Sequence, residues 1–393
     1  MVLGHYYLAR EWVKIGHNVT IIAASFAHTR FVQPEVAKRK ICEEYIDGIR
    51  YIWIPCPVYD GSSRFGRVRN IISFVFKTWF FQLPLEKIDL VITSSHHPFA
   101  IFPARKIAQT WKTKLVFEVR DLWPLTLIEI GGVNRTHPFI RAMQWAEDFA
   151  YRQADYVVSV LSNAKEYMTQ HGMQENKFLY VPNGAAVENL QEQETLPATH
   201  IQSIEEVRKK GGFLIGFAGR LVDAYCLDVL IDALKLINQL DIYIFFTGDG
   251  YRKEIIRMKC SEMGLANQVF FLDSVAQCQV TDFLSRMDAC YLGVHKKPMF
   301  RFGISPTKLN DYLLAAKPVI FVTDAADEAI EHSGAVIICR SGSSEEIKEA
   351  ILALYSMPLS RRQEMGEKGR KWVCRERDYR ILAKRFLEGV GCL

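Results

Sequence analysis

Short, β-branched apolar runs recur along the chain between longer segments of helical spacing. This alternation restricts the fold more than any other feature. The runs at 19–24, 90–93, 115–119, 156–160 and 178–181 are apolar without a polar alternation. Strands of a parallel sheet covered on both faces have that pattern. The intervening segments 6–15, 100–111 and 138–153 place apolar residues on one helical face. A polar, Glu/Lys-rich stretch at 191–212, ending in Gly211-Gly212, interrupts the series and predicts a linker. A second series follows at 214–218, 242–246, 269–272, 289–292, 319–322 and 335–338. The expected fold is α/β, with two Rossmann-like parallel-sheet domains at 1–190 and 213–376 and a last segment at 377–393. The carboxyl ends of the strands are then expected to face a central cleft.

The first domain departs from that scheme. A doubly wound domain begins with a central strand and a Gly-rich turn before its first helix. Here Met1-Val-Leu-Gly4 leads almost directly into a helix, and the first clear strand follows the turn Ile15-Gly-His-Asn18. The opening strand is expected to be missing. Either the true start lies upstream, or the sheet carries an exposed slot.

With 393 residues, 49% of them apolar and 24% charged, the chain can bury two sizeable cores. A net charge of +5 is too small to imply a nucleic-acid binder without a concentrated patch. The nine cysteines form no Cys-x-x-Cys pair and no Cys/His cluster with zinc spacing. They read as thiols of a reducing compartment. The opening residues do not read as a signal peptide. The most apolar window, 71–83, contains Lys77 and falls short of the roughly twenty residues a membrane span needs.

The segment 302–320 carries the most chemistry. Ser305-Pro306 predicts a helix start, Ser as N-cap and Pro as first helical residue. The backbone N–H groups of Thr307, Lys308 and Leu309 would then lie at the positive end of a helix dipole, where phosphate binds well. Lys308 adds a formal charge, and Asp311 offers acceptors for sugar hydroxyls. The same residues fit an ordinary capped helix, so the segment alone does not decide between the two.

Six stretches, in order, identify a family: Tyr7-Leu-Ala-Arg-Glu-Trp12 with Gly16-His-Asn-Val-Thr20, Phe117-Glu-Val-Arg-Asp-Leu-Trp-Pro124, Val181-Pro-Asn-Gly184, Gly216-Phe-Ala-Gly-Arg220, Thr247-Gly-Asp-Gly250, and 302–320. Together they resemble the retaining GT-B glycosyltransferases of family four, within the bacterial polysaccharide branch of colanic-acid, O-antigen and L-fucosamine transferases. The resemblance implies that 213–376 binds a nucleotide sugar and that the 377–393 helix packs back on the first domain. It places Gly219 and Arg220 at the donor diphosphate, where an Arg fork suits phosphate. Gly248 and Gly250 would shape the nucleotide pocket, though a tight turn explains them equally. Ser305, Pro306, Thr307 and Lys308 would meet diphosphate or sugar, and Asp311 the ribose. Two positions depart from the pattern: Gly303 stands where many relatives carry Glu, and Tyr225-Cys226 where many carry Lys-Gly. In the first domain, Asp121 is the candidate to orient or deprotonate the acceptor hydroxyl. Glu118 and Arg120 lie beside it, and His97 is a further catalytic candidate. The 183–184 turn is expected to face the cleft.

The implied reaction moves a sugar, expected to be N-acetylated, from a UDP-sugar to a polyprenyl-diphosphate-linked glycan in bacterial surface polysaccharide synthesis. No cofactor and no metal are expected, since Arg220, Lys308 and the helix start supply the positive field and no Asp-x-Asp cluster is present. Arg64, Arg67, Arg69 and Lys77 interleave with Phe65, Ile71, Ile72, Phe74, Phe76, Trp79, Phe80 and Phe81. A core helix with a solvated edge would read the same way, but aromatics on more than one face favour an anionic bilayer surface and a peripheral enzyme on the cytoplasmic face of the inner membrane. The basic 361–385 tail, rich in interspersed Glu and Asp, reads as a solvated helix face. Two rival readings are a nucleotide-sugar epimerase of the same fold and a truncated, non-catalytic remnant.

Overall fold

The computed structural model describes residues 3–28, 30, 33–36, 41–60, 63–190, 194–325 and 328–392. The chain divides into two compact units: Met1–Pro182 together with Tyr379–Leu393, and Asn183–Asp378. Both are α/β structures whose sheets are parallel, apart from one antiparallel hairpin in the first unit.

In the first unit, β1 (Thr20–Ala24), β2 (Cys42–Ile46) and β3 (Ile49–Ile54) form one sheet in the order β1-β3-β2. A second sheet contains β4 (Leu90–Ser94), β5 (Lys114–Val119), β6 (Tyr156–Ser159) and β7 (Phe178–Tyr180), in sequential order and all parallel. The expected single sheet is therefore in two pieces. Strands β1 and β4 are both sheet edges. The β2–β3 hairpin is absent from the run pattern because Cys42-Glu-Glu-Tyr-Ile46 is mostly polar and exposed. Its turn, Asp47-Gly48 with φ of 51° and 77°, is the Asp-Gly sequence that tight hairpins use. The Leu3–Lys14 helix packs Ala9 against Tyr51 and Trp53 of β3. The Tyr379–Gly389 helix belongs to this unit. Trp12 Nε1 donates to Ala383 O at 3.0 Å and its ring meets Phe386.

The second unit has one six-stranded parallel sheet: β8 (Phe213–Ala218), β9 (Ile242–Thr247), β10 (Val269–Leu272), β11 (Ala289–Gly293), β12 (Val319–Val322) and β13 (Val336–Cys339). The order is β10-β9-β8-β11-β12-β13. Strand order reverses between β8 and β11, and ligands of such sheets bind beyond the strand ends at that point. Strand β8 is buried along its whole length. Phe217, Phe245 and Phe246 are fully buried, each contributing roughly 2–3 kcal/mol of apolar burial.

The predicted linker at 191–212 does not stay extended. Residues Ala198–Lys209 form a helix whose Ile204 and Val207 pack into the second unit's core. Its polar residues are the solvent face of an amphipathic helix. The crossing points instead fall at Pro182 and Asp378, where the Ala185 N–H donates to Arg377 O at 2.7 Å. All nine cysteines are free thiols.

Candidate active site

The donor-side candidates converge at the carboxyl end of β8. Ala218 ends that strand, and its backbone is held from the Thr307–Leu314 helix. The Ala218 N–H donates to Tyr312 Oη at 3.0 Å, and Lys308 Nζ donates to Ala218 O at 2.7 Å. The Lys308 ammonium sits over the rings of Phe217 and Tyr225, about 5.5 and 5.4 Å from their centroids. It also lies against Gly219, where an added Cβ would fall 1.7 Å from Nζ. Gly219, with φ of 140°, is therefore required on two counts. Arg220 follows directly and is exposed.

Gly248 and Gly250 form the neighbouring turn. A Cβ at Gly248 would lie 2.0 Å from Gly219 O, and one at Gly250 2.2 Å from Leu221 O. The Gly219 N–H donates to Thr247 O at 2.9 Å and the Leu221 N–H to Asp249 O at 3.0 Å. These glycines let two backbone segments touch, which builds the floor beneath Gly219 and Arg220.

Burial dominates the ionisation here. It pushes the Asp311 carboxyl up to about 6, against the opposing pull of Lys308. Burial also lowers the Lys308 ammonium, with Asp311 opposing. Among the described residues neither Arg220 nor Asp311 forms an ion pair. Lys308 and Asp311 thus act on each other without a direct ion pair, and Arg220 adds a second, exposed cation.

The predicted helix start needs correction. The helix runs Thr307–Leu314, with Pro306 rather than Ser305 at the N-cap and no side-chain cap. Ser305 Oγ instead accepts from the Asn183 N–H at 2.8 Å, while Asn183 Nδ2 donates to Ser305 O at 2.6 Å. Asn310 Nδ2 donates to Asn183 O at 2.9 Å and Gly184 O at 3.2 Å. Ser305 therefore anchors the 183–184 segment, which belongs to the second unit rather than ending the first. The Leu309 N–H already bonds Pro306 O at 3.2 Å, leaving Thr307 and Lys308 to present N–H groups at the dipole end. At Tyr225-Cys226, Cys226 takes φ of 52° as the N-cap of the Leu227–Lys235 helix, a conformation a glycine adopts more readily. Tyr225 contributes its ring face to Lys308 rather than a second cation.

The first-unit candidates gather at the ends of β4 and β5. Glu118, only 3% exposed, accepts a short hydrogen bond from His5 Nε2, and Arg120 Nη1 donates to it at 3.2 Å. Burial alone would raise this carboxyl, but His5 and Arg120 together hold it well below the usual carboxylate range. The His5 ring also meets His96 edge-on at 5.5 Å. Ser95 Oγ ties the loop together, accepting from the Arg120 N–H at 2.9 Å and donating to Asp121 O at 3.0 Å. Asp121 lies at the surface, but its carboxyl is partly desolvated, which raises its pKa against the pull of Arg120. His97 stands apart from this group. Its ring packs on Phe74, its Nδ1 is buried without a partner, and burial pushes it down to about 4. A neutral imidazole beneath aromatic cover suits packing, which removes His97 from the Glu118 cluster.

Sequence reasoning missed His5, Ser95, Asn310 and Tyr312. Asn310 was the most findable, being a polar residue among Leu309, Tyr312 and Leu313 on the buried face of its helix. His5 carried no signal, since its partner is more than a hundred residues away.

Residues 5–184 match the glycosyl transferase 4-like domain, and residues 212–357 match glycosyl transferases group 1. No curated protein matches the sequence. Solved structures of similar fold include HepE of Anabaena in complex with UDP and glucose, 16% identical over 88% of this chain and 87% of that one, with a TM-score of 0.63. Sucrose-phosphate synthase from Thermosynechococcus elongatus is 13% identical over 97% and 90%, at 0.70. WaaG, a glycosyltransferase involved in lipopolysaccharide biosynthesis, is 13% identical over 99% and 95%, at 0.62. At these identities the structural likeness is one of fold, whereas the two domain matches speak to the family. The chain is accordingly a glycosyltransferase of the GT-B fold, built from a glycosyl transferase 4-like domain and a group 1 glycosyl transferase domain.

Proposed function

We propose that the enzyme moves an N-acetylated hexose from a UDP-sugar to a polyprenyl-diphosphate-linked glycan, with retention of anomeric configuration, in bacterial surface polysaccharide synthesis. The observation that carries the donor half is the group formed by Lys308, Gly219 and Arg220 at the switch point of the second sheet. A departing nucleoside diphosphate gains most from positive groups fixed in place before the bond breaks. Lys308 is so fixed by Ala218 O and keeps further N–H donors for phosphate. Arg220 adds a fork for paired phosphate oxygens. Asp311 receives the ribose hydroxyls, and Thr307 offers its backbone N–H.

The reading of the donor as UDP-linked is supported by HepE, whose solved complex contains UDP and glucose. A role in surface polysaccharide synthesis is supported by the fold shared with WaaG. In the first unit, Asp121 is the group to accept the acceptor hydroxyl proton, since it lies at the surface with a raised carboxyl pKa while Glu118 is committed to His5 and Arg120. Arg120 and Glu118 position that loop. The cations take the place of a divalent ion, so no metal is required, and the enzyme works at the cytoplasmic face of the inner membrane.

The test is a binding screen of UDP-sugars by calorimetry, followed by UDP release on adding a lipid-linked acceptor, with and without EDTA. We expect one UDP-N-acetylhexosamine to bind and Arg220→Ala to weaken it by about ten- to a hundredfold. Unchanged binding would remove Arg220 from the site. Conversion of the UDP-sugar to an isomer without UDP release would overturn the transferase reading.

A further inference from the structure

The Asp223–Tyr225 turn packs between the ends of β8 and β11 and is held from two directions. From the Gly250 side, Tyr251 Oη donates to Asp223 Oδ2 at 2.7 Å, and Arg252 Nε pairs with Asp223 Oδ1 at 3.2 Å. From β11, Tyr291 Oη donates to Cys226 O at 2.9 Å. Just beyond that strand, the His295 N–H donates to Ala224 O at 3.4 Å. Strand β11 also presses on the turn at Gly293, where an added Cβ would fall 2.5 Å from Tyr225 O. Within the turn, the Tyr225 N–H donates to Val222 O at 3.3 Å and the Cys226 N–H to Asp223 O at 3.4 Å. A loop tied at so many points sets its side chains before any ligand arrives.

One hydroxyl of this turn is left over. Among the described residues the half-buried Tyr225 Oη has no hydrogen-bond partner. The ring that carries it is fixed. It meets Phe217 edge-on at 5.3 Å, and Lys308 Nζ stands 5.4 Å from its centroid. Burial raises the phenol above its ordinary value, against the opposing charge of Arg220, so it keeps its proton at neutral pH. The phenol, the Lys308 ammonium and the Arg220 guanidinium are thus three donors around one place. Two of the three are charged, so the group that satisfies them together is an anion with several acceptor oxygens. A sugar hydroxyl meets only one of them, whereas a diphosphate has lone pairs for all three.

We infer that Tyr225 is a further donor-binding residue, its Oη donating a hydrogen bond to a diphosphate oxygen of the nucleotide sugar beside Lys308 and Arg220. The contact rests on the donor reading of this site and adds a neutral donor to it. A third cation here would repel Lys308, whose ammonium burial already disfavours. A phenol supplies the hydrogen bond without that repulsion and supports Lys308 with its ring face.

The test is calorimetry of UDP and of a UDP-N-acetylhexosamine, with uridine followed by ligand-observed NMR, on wild type, Tyr225→Phe and Tyr225→Leu. Tyr225→Phe keeps the ring beneath Lys308 and removes one oxygen. It should melt as the wild type does, lose about tenfold in UDP affinity and bind uridine unchanged. Tyr225→Leu also removes the ring and should lose more. The inference is overturned if Tyr225→Phe binds UDP as tightly as the wild type, which would leave the ring as a support for Lys308 alone. It is also overturned if uridine binding falls equally, or if the loss appears only with the UDP-sugar, since the phenol then meets the nucleoside or the sugar. A wild type that binds no UDP would overturn the donor reading and this contact with it. A wild type that binds UDP, with Tyr225→Phe binding it equally, overturns this contact alone.

Discussion

The two charged clusters of this enzyme are built on opposite principles. Around Glu118, each charge meets its partner inside the protein: carboxylate with imidazole and guanidinium, and the loop tied by Ser95. Around Gly219, two cations and a carboxyl stand close together without an ion pair for Arg220 or Asp311, and Lys308 rests on a backbone carbonyl. A cluster that satisfies itself contributes stability, because removing one member strands the others. A cluster left unsatisfied contributes little stability and keeps its field for a ligand. On this contrast we propose that the first unit's group has a positioning role and that the second's binds the donor.

The largest expected effect comes from Lys308→Met, which keeps the length of the side chain and removes its charge. Turnover should fall by about 10²–10³-fold while thermal stability changes little. Steady-state kinetics and a melting curve measured on the same preparation check this. A large loss of melting temperature with modest loss of turnover would place Lys308 with the self-satisfied kind. Glu118→Gln should act in the opposite sense, costing about 1–3 kcal/mol of stability in urea unfolding and leaving UDP affinity unchanged. Glu118 is held low in the folded state, so its contribution is present above the ordinary carboxylate range and lost as pH falls through its folded value. The difference between wild type and variant should shrink accordingly below about pH 4. Weakened UDP binding by this variant would break the comparison.

The smallest effect is a pH dependence. Asp311 titrates near 6 in the folded unit, so below that value it is protonated and one of its acceptors is occupied. UDP affinity should drop a few-fold, roughly, from pH 7.5 to pH 5 by calorimetry, and Asp311→Asn should flatten the profile. The same raised value means that ionising Asp311 costs stability as pH rises from about 4 to about 6, the reverse of Glu118. A wild-type profile without a step in that window would remove Asp311 from the ribose.

Much of this was legible before any coordinates. The apolar runs located eleven of the thirteen strands, because a buried parallel strand announces itself through its own composition. The exceptions are β2, whose Glu43-Glu-Tyr45 is polar and exposed, and β3, which its Asp47-Gly48 turn could have located. The polar 191–212 segment misled for the opposite reason: half-exposed helices and linkers share a composition, and only the packing of Ile204 and Val207 separates them. Ser305-Pro306 read as a helix start, but a serine that finds a tertiary partner, here Asn183, does not also have to cap.

The sequence by itself determined the class of fold, the order of its elements, and the stretch from which Lys308 and Asp311 come. These are properties of local runs and of spacing along one segment. The tertiary structure decided which charges are spent and which remain. It brought His5 to Glu118, turned Ser305 toward Asn183, set Lys308 against Gly219, and turned the aromatic face of the Arg64–Phe80 helix outward. Each of these depends on groups far apart in the chain. The physical reason is that a side chain's partners are set by the packing of whole elements, and no local pattern encodes which partner arrives.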